Sequence, residues 1–243
     1  MTSIVLIPGM DGTGALFADF IAALGPGIDP IVVSYPVNQA LDYAALEAIA
    51  GAALPTDRPY ILLGESFSGP VAISLAASHP AGLMGLILVG SFARSPLPAL
   101  RPFKKLIDVL PISQKLTWLL APFLFGRFSS SRLRRDLHGA LSRLSSATLR
   151  ARLHAVLDVD FSQKLQQISQ PVLYLLASND RIVPASCSRQ LQSLKPEVEI
   201  IAFDAPHLLL QAVPVHAAKA VQKFIHAAEK RAIAAAIDLA IKQ

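Results

Sequence analysis

The chain has 243 residues and a formal net charge of +5, with 53% hydrophobic and 16% charged residues. This length fits one α/β domain with an insertion, and the composition supplies enough apolar side chains for a large buried core. The single cysteine, Cys187, excludes an internal disulfide and a cysteine-based metal cluster. Apolar stretches fall short of the ~18–20 residues that a spanning helix needs. The first residues lack the basic region of a secretory signal, so we expect a cytoplasmic protein.

Short apolar runs alternate with helical patterns along the chain. The runs predict strands at residues 4–7, 31–35, 60–63, 86–89, 172–177 and 198–203. The helical patterns lie at residues 16–24, 43–53, 67–78, 185–194 and 215–241. Because each strand run is almost continuously apolar, both of its faces should be covered. The sequence therefore predicts an α/β fold with a mostly parallel sheet and helices on both faces.

The interval between the fourth and fifth predicted strands is longer than a crossover helix requires. Its pattern is helical, but prolines divide it into short pieces. These are Pro96, Pro98, Pro102, Pro111 and Pro122. We expect residues 93–160 to form a helical cap inserted into a core made of residues 1–92 and 161–243.

A strand-to-helix turn carries the first candidate catalytic residue. Residues 62–70 read Leu-Leu-Gly-Glu-Ser-Phe-Ser-Gly-Pro, so Ser66 follows the end of a buried strand and precedes a helix. A turn this sharp strains the serine backbone and requires small neighbours. It exposes the Ser66 hydroxyl at the sheet edge, where the helix N-terminus favours developing negative charge. A glycine–serine turn that caps a helix is the structural alternative.

This turn resembles the nucleophile elbow of the α/β-hydrolase family, written G-x-S-x-G. The last small position holds Ser68, with Gly69 one residue later. Because serine is also small, we treat the pair as a variant of the motif. The resemblance implies that Ser66 is a nucleophile.

A glycine-rich loop follows the first predicted strand, in the sequence Leu-Ile-Pro-Gly-Met-Asp-Gly-Thr-Gly at residues 6–14. In the resembled family this loop donates one backbone N–H to an oxyanion, although Pro8 stands where the family often has histidine. The resemblance implies Met10 N–H as one donor and Phe67 N–H as the other. A phosphate-binding loop is the rival interpretation. Neither a following Lys-Ser/Thr pair nor G-x-G-x-x-G spacing supports it.

Two polar residues follow strand ends in the second half of the chain. Asp180 comes just after the strand at 172–177, and His207 follows the last strand. The chain order of serine, aspartate and histidine is that of the resembled fold, which implies Asp180 as orienting acid and His207 as general base. Asp204 is the alternative acid, but its own strand already supplies the histidine. We expect Cys187 to be a small packed apolar residue.

These residue types suit nucleophilic catalysis. A serine hydroxyl needs a base to take its proton, imidazole titrates near neutral pH, and a carboxylate fixes the imidazole tautomer. We therefore predict a serine hydrolase that cleaves a carboxylic ester or thioester through an acyl-enzyme. No cluster has metal-ligand spacing, so we expect no metal and no cofactor. The alternatives are an acyltransferase with the same triad and a non-catalytic ligand receptor that retains it.

The basic residues are concentrated in the predicted cap. Residues 93–158 contain 12 Lys and Arg against 3 Asp and Glu, a local net charge of +9. We expect a small-molecule or acyl ester as the substrate. The charge asymmetry also indicates an acidic carrier protein or an anionic lipid as a partner. An ordinary solvated helix face is the alternative. We do not expect nucleic acid, because the basic residues belong to a lid over a cleft.

Overall fold

The computed structural model describes residues 2–109 and 123–241. Its strands are β1 Thr2–Ile7, β2 Ile28–Val32, β3 Tyr60–Glu65, β4 Leu83–Val89, β5 Val172–Ala177 and β6 Glu199–Phe203. They form one sheet in the order β2-β1-β3-β4-β5-β6, and every neighbouring pair is parallel. The prediction of an α/β fold with a parallel sheet is confirmed.

Helices connect these strands and cover the sheet. We number them α1 Ala18–Leu24, α2 Tyr43–Gly51, α3 Gly69–Ala77, α4 Leu106–Val109, α5 Ser131–Leu141, α6 Ser146–Asp158, α7 Ser162–Gln167, α8 Ser186–Leu194, α9 Leu209–Ala212 and α10 Pro214–Ile241. Short 3-10 turns occupy Ala15–Phe17, Ser66–Ser68, Pro98–Phe103 and Gly126–Phe128. Within residues 2–109 and 123–241, no helix combines the length and apolar character needed to cross a membrane.

Both faces of the sheet are buried. On β1, Ile4 and Leu6 belong to the apolar layer formed with α1 and α10. The alternate residues Val5 and Ile7 belong to the opposite layer, formed with α2, α3 and α8. Successive side chains of a strand point to opposite faces, so a strand covered on both sides must be apolar throughout. This explains the nearly continuous apolar runs in the sequence.

The second strand differs from its prediction, because β2 starts and ends earlier than the expected 31–35. As an edge strand, β2 is only partly buried. Beyond its end, Val33 N–H donates to the Leu6 carbonyl at 2.9 Å, and Tyr35 N–H donates to the Gly12 carbonyl at 2.7 Å. Both side chains are buried. The apolar pattern therefore marked the buried residues that follow the strand.

The chain between β4 and β5 contains α4 to α7. Residues 110–122 of the predicted cap lie outside the described residues. The two ends of the predicted segment lie side by side, since Arg94 and Asp160 form an antiparallel bridge and Phe161 N–H donates to the Ala93 carbonyl at 2.8 Å. The segment thus leaves and re-enters the sheet region at one place, and its division from the core as a cap stays a prediction.

Candidate active site

Ser66 directly follows β3 in a strained backbone conformation. Its φ is 48°, in the left-handed region that non-glycine residues rarely adopt. Ser91 Oγ holds this turn by donating to the Ser66 carbonyl at 2.6 Å. A Cβ on Gly64 would lie 2.7 Å from Ala72 Cβ, so the position before the turn requires glycine. Together these constraints present the Ser66 hydroxyl at the carboxyl edge of the sheet.

The departure from G-x-S-x-G at residues 68 and 69 has a structural reason. A Cβ on Gly69 would lie 1.7 Å from Ser91 Oγ, so the close approach that demands glycine occurs at residue 69. Ser68 is fully buried, and its hydroxyl donates to the Pro8 carbonyl at 2.5 Å. Ser68 therefore ties the turn at Ser66 to the loop after β1.

The structure brings Ser66, His207 and Asp180 together. Ser66 Oγ lies 2.8 Å from His207 Nε2, and His207 Nδ1 lies 2.7 Å from Asp180 Oδ2. The other Asp180 oxygen accepts from the N–H groups of Ile182 and Val183, each at 2.8 Å. The side chains of His207 and Asp180 are 4% and 3% exposed. With Nδ1–H directed at the carboxylate, Nε2 is left to accept the serine proton.

Asp204, the alternative acid, and Cys187, the one thiol of the chain, lie outside the hydrogen-bonded chain of Ser66, His207 and Asp180. Asp204 has a side chain that is 67% exposed, and it bonds to Arg127 and to Asn179 Nδ2. Cys187 is buried, and burial, reinforced by the charge of Asp180, raises the pKa of its thiol to about 11. A thiol with this pKa is a poor nucleophile at neutral pH. Among the described residues, no group of three or more His, Cys, Asp or Glu side chains could hold a metal ion.

The predicted oxyanion donors lie on two segments that flank Ser66. β1 and β3 are neighbours with Ile7 opposite Gly64, so the residues after each strand are adjacent. A Cβ on Gly9 would lie only 3.8 Å from Ser66 Cβ, which brings the loop carrying Met10 beside the serine. Phe67 follows Ser66 in the same 3-10 turn. The role of the two N–H groups as an oxyanion hole stays a prediction.

Three site residues were not identified from the sequence: Glu65, Gly90 and Arg152. Gly90 has a φ of 50°, and a Cβ there would lie 3.4 Å from Asp180 Oδ2 and 3.4 Å from the His207 carbonyl oxygen. It allows the segment after β4 to pass directly against the aspartate–histidine pair. The signal available in the sequence was a glycine directly after a strand, which here marks a close approach.

Glu65 is a buried carboxyl next to Ser66 in the chain. It accepts a hydrogen bond from Gln211 Nε2 at 3.0 Å and another from Gly9 N–H. Burial raises the pKa of Glu65 to about 7, and the negative charge of Asp11 adds to this effect. The two hydrogen bonds and the nearby His207 act in the opposite direction. Desolvation therefore determines the direction of the shift.

We expect this carboxyl to make stability pH-dependent. Between its ordinary pKa of 4.5 and the folded value of about 7, the unfolded chain loses the proton while the folded chain keeps it. The free energy of unfolding therefore falls as pH rises through this range and levels off above it. Glu65→Gln should remove a decline of about 3 kcal/mol between pH 4.5 and pH 8, measured by urea denaturation. The exposed Glu197→Gln should retain the wild-type decline, and the same decline in both variants would contradict the expectation.

Comparison with known proteins shows the family. Residues 4–221 match the alpha/beta hydrolase family. The protein named "Putative carbamate hydrolase RutD" from Escherichia coli O6:H1 is 27% identical over 214 residues, 80% of this chain and 77% of that protein. Among the similar solved structures are two that each align with a TM-score of 0.80. The enol-lactonase from Burkholderia xenovorans is 16% identical, with 93% of this chain and 91% of that chain covered. A thermophilic esterase from Thermogutta terrifontis is 18% identical, with 94% and 90% covered. Since the family match spans most of its length, the chain belongs to the alpha/beta hydrolase family.

Proposed function

We infer that the protein is a serine hydrolase that cleaves carboxylic esters or thioesters through an acyl-enzyme intermediate. Ser66 is the nucleophile, His207 the general base and Asp180 the acid that orients it. The N–H groups of Met10 and Phe67 bind the oxyanion. The observation that carries the proposal is the hydrogen-bonded chain from Ser66 Oγ through His207 to Asp180, at 2.8 and 2.7 Å.

In the acylation step, Ser66 Oγ attacks the carbonyl carbon while His207 Nε2 takes the hydroxyl proton. The tetrahedral oxyanion accepts hydrogen bonds from Met10 N–H and Phe67 N–H, and each such donor contributes about 3–4 kcal/mol to lowering the barrier. The carboxylate of Asp180 stabilises the imidazolium that forms. Collapse of the intermediate breaks the bond to the leaving oxygen or sulfur. That atom receives the proton from His207, and the acyl group stays on Ser66.

In the deacylation step, a water molecule is the nucleophile and Ser66 Oγ is the leaving group. His207 takes a proton from a water molecule, whose oxygen attacks the acyl carbon, and the same two N–H groups bind the second oxyanion. When this intermediate collapses, His207 returns its proton to Ser66 Oγ and the carboxylic acid is released. Transfer of the acyl group to an alcohol would use the alcohol oxygen in place of water.

A small neutral ester is the substrate to test first. Several basic side chains of the 93–158 segment already have acidic partners: Arg94 with Asp160, Arg101 and Lys104 with Asp158, Arg127 with Asp204, and Arg132 with Asp19. The unpaired positive charge is thus smaller than the sequence count indicates. An acidic carrier protein or an anionic lipid would have to use the remaining basic residues, and such a partner stays a prediction.

The test is a panel of p-nitrophenyl esters of increasing acyl length, with a p-nitrophenyl carbamate added because of the carbamate hydrolase named above. We expect turnover of at least one ester and, on rapid mixing, a burst of nitrophenol equal to the enzyme concentration. The burst reports the acyl-enzyme. A binding protein without catalytic activity gives neither turnover nor burst. Added alcohol separates hydrolysis from acyl transfer, since only transfer yields a new ester.

A further inference from the structure

Arg152 lies on α6, between β4 and β5, and its side chain reaches the loop after β1. It is only 1% exposed. Arg152 Nη1 donates to the Met10 carbonyl at 2.6 Å, and Nη2 donates to the Pro36 carbonyl at 3.1 Å. A buried charge is tolerated when hydrogen bonds satisfy it, and the planar guanidinium fixes the directions of those bonds. One side chain thus holds two carbonyls of different loops in a fixed relation.

The loop is shaped to receive this guanidinium. Gly12 has a φ of 70°, and a Cβ there would lie 2.6 Å from Arg152 Nη1. The guanidinium carbon also lies 5.8 Å from the centre of the Tyr35 ring and 5.9 Å from that of Phe67. These distances are within the range of cation–π contacts. Arg152 therefore contacts both segments that carry the proposed oxyanion donors.

Two further hydrogen bonds hold the same loop from the nucleophile side. Ser68 Oγ donates to the Pro8 carbonyl, and the Glu65 carboxyl accepts from Gly9 N–H. Residues 8, 9 and 10 are consequently each tied to a side chain from another part of the fold. Within the described parts of the chain, Met10 N–H itself has no intramolecular hydrogen-bond acceptor. A buried loop that is held at three points and leaves one N–H free is suited to bind an oxyanion.

We propose that Arg152 is a positioning residue, which holds Met10 so that its N–H faces the oxyanion formed at Ser66. This inference rests on the proposed function. Arg152 acts through the backbone at Met10, so it contributes to the orientation of a donor. The consequence is that one side chain of α6, that of Arg152, contributes to the geometry of the proposed oxyanion hole through the loop after β1.

The test compares Arg152→Met with Arg150→Met. Arg150 lies on the same helix, but its Nε donates to the Ile107 carbonyl, away from the loop after β1. For a p-nitrophenyl ester, Arg152→Met should lower kcat on the order of 10²-fold, as expected for the loss of one oxyanion donor. KM should change less than about threefold, because ground-state binding does not use this donor. Arg150→Met should keep the wild-type kcat.

Two readouts distinguish positioning from a general loss of structure. Affinity for a trifluoromethyl ketone, which forms a tetrahedral oxyanion adduct with a serine, should fall by the same factor as kcat/KM in Arg152→Met. Hydrogen exchange at the amides of residues 9–12 should accelerate at least about tenfold in Arg152→Met and stay unchanged in Arg150→Met. The exchange experiment needs no turnover. If the wild-type protein hydrolyses no ester, the proposed function is wrong, but hydrogen exchange still shows whether Arg152 holds the loop after β1.

Arg152→Lys provides a second variant if methionine prevents folding, since lysine keeps the charge but loses the planar fork. It should show the same loss in kcat without a matching change in KM. The inference is overturned if the wild-type enzyme turns over and a folded residue-152 variant keeps kcat within about threefold. It is also overturned if the loss appears in KM, or if the amides of residues 9–12 exchange at the wild-type rate.

Discussion

Ser66→Ala should abolish ester turnover and labelling by a fluorophosphonate probe. Removal of the hydroxyl leaves His207 with no nucleophile to activate, so kcat should fall at least about 10⁴-fold. The free energy of unfolding should change by less than about 1 kcal/mol. Alanine keeps the φ of 48° that strains this residue, and the bond from Ser91 to the residue-66 carbonyl remains. Turnover, labelling and denaturant unfolding measure the three expectations.

The matched control is Ser193→Ala. Ser193 lies on α8, and its exposed hydroxyl donates within the helix, to the Gln190 carbonyl. This variant should be labelled and should turn over like the wild-type protein. If Ser66→Ala is still labelled or still active, Ser66 is not the nucleophile. If it is inactive because it is unfolded, the unfolding curve reveals this directly.

The positions of the candidate triad could be predicted because each signal is local. Ser66 is preceded by a buried strand and followed by a helix, and Asp180 and His207 follow strands as well. In a parallel sheet the carboxyl ends of the strands share one edge, so residues that follow them can meet. Strand order brings β3, β4, β5 and β6 side by side, and the segments after them converge. The local patterns and this one topological rule were sufficient to predict that Ser66, Asp180 and His207 lie close together.

Arg152 and Gly90 could not be predicted in the same way. Arg152 is separated from Met10 by 142 residues, and its helix carries a second arginine, Arg150, that looks alike in sequence. Which of them turns inward depends on how α6 packs against the loop after β1. The role of Gly90 likewise depends on Asp180 and His207, which follow β5 and β6 and would contact a Cβ at residue 90. For Ser68 the sequence supplied only a departure from a motif, and its bond to Pro8 gives that departure a reason.

Asp180→Asn should lower kcat about 10⁴-fold, and the hydrogen bonds around Asp180 explain why. One carboxylate oxygen accepts from Ile182 N–H and Val183 N–H, so asparagine must keep its carbonyl oxygen there. Its NH₂ group then faces His207 Nδ1, where the carboxylate oxygen now lies at 2.7 Å. His207 must accept through Nδ1 and carry its proton on Nε2. That tautomer cannot accept the proton of Ser66.

The matched control and a double-mutant comparison complete this prediction. Asp204→Asn makes the same chemical change at an exposed carboxylate and should keep the wild-type kcat. His207→Ala should lose activity to an extent similar to Asp180→Asn, and adding either change to Ser66→Ala should lower the residual rate little further. Members of a triad act as a unit, so their effects do not multiply. Independent, multiplying losses would show that the three residues do not work together. A larger loss for Asp204→Asn than for Asp180→Asn would move the acid of the triad to residue 204.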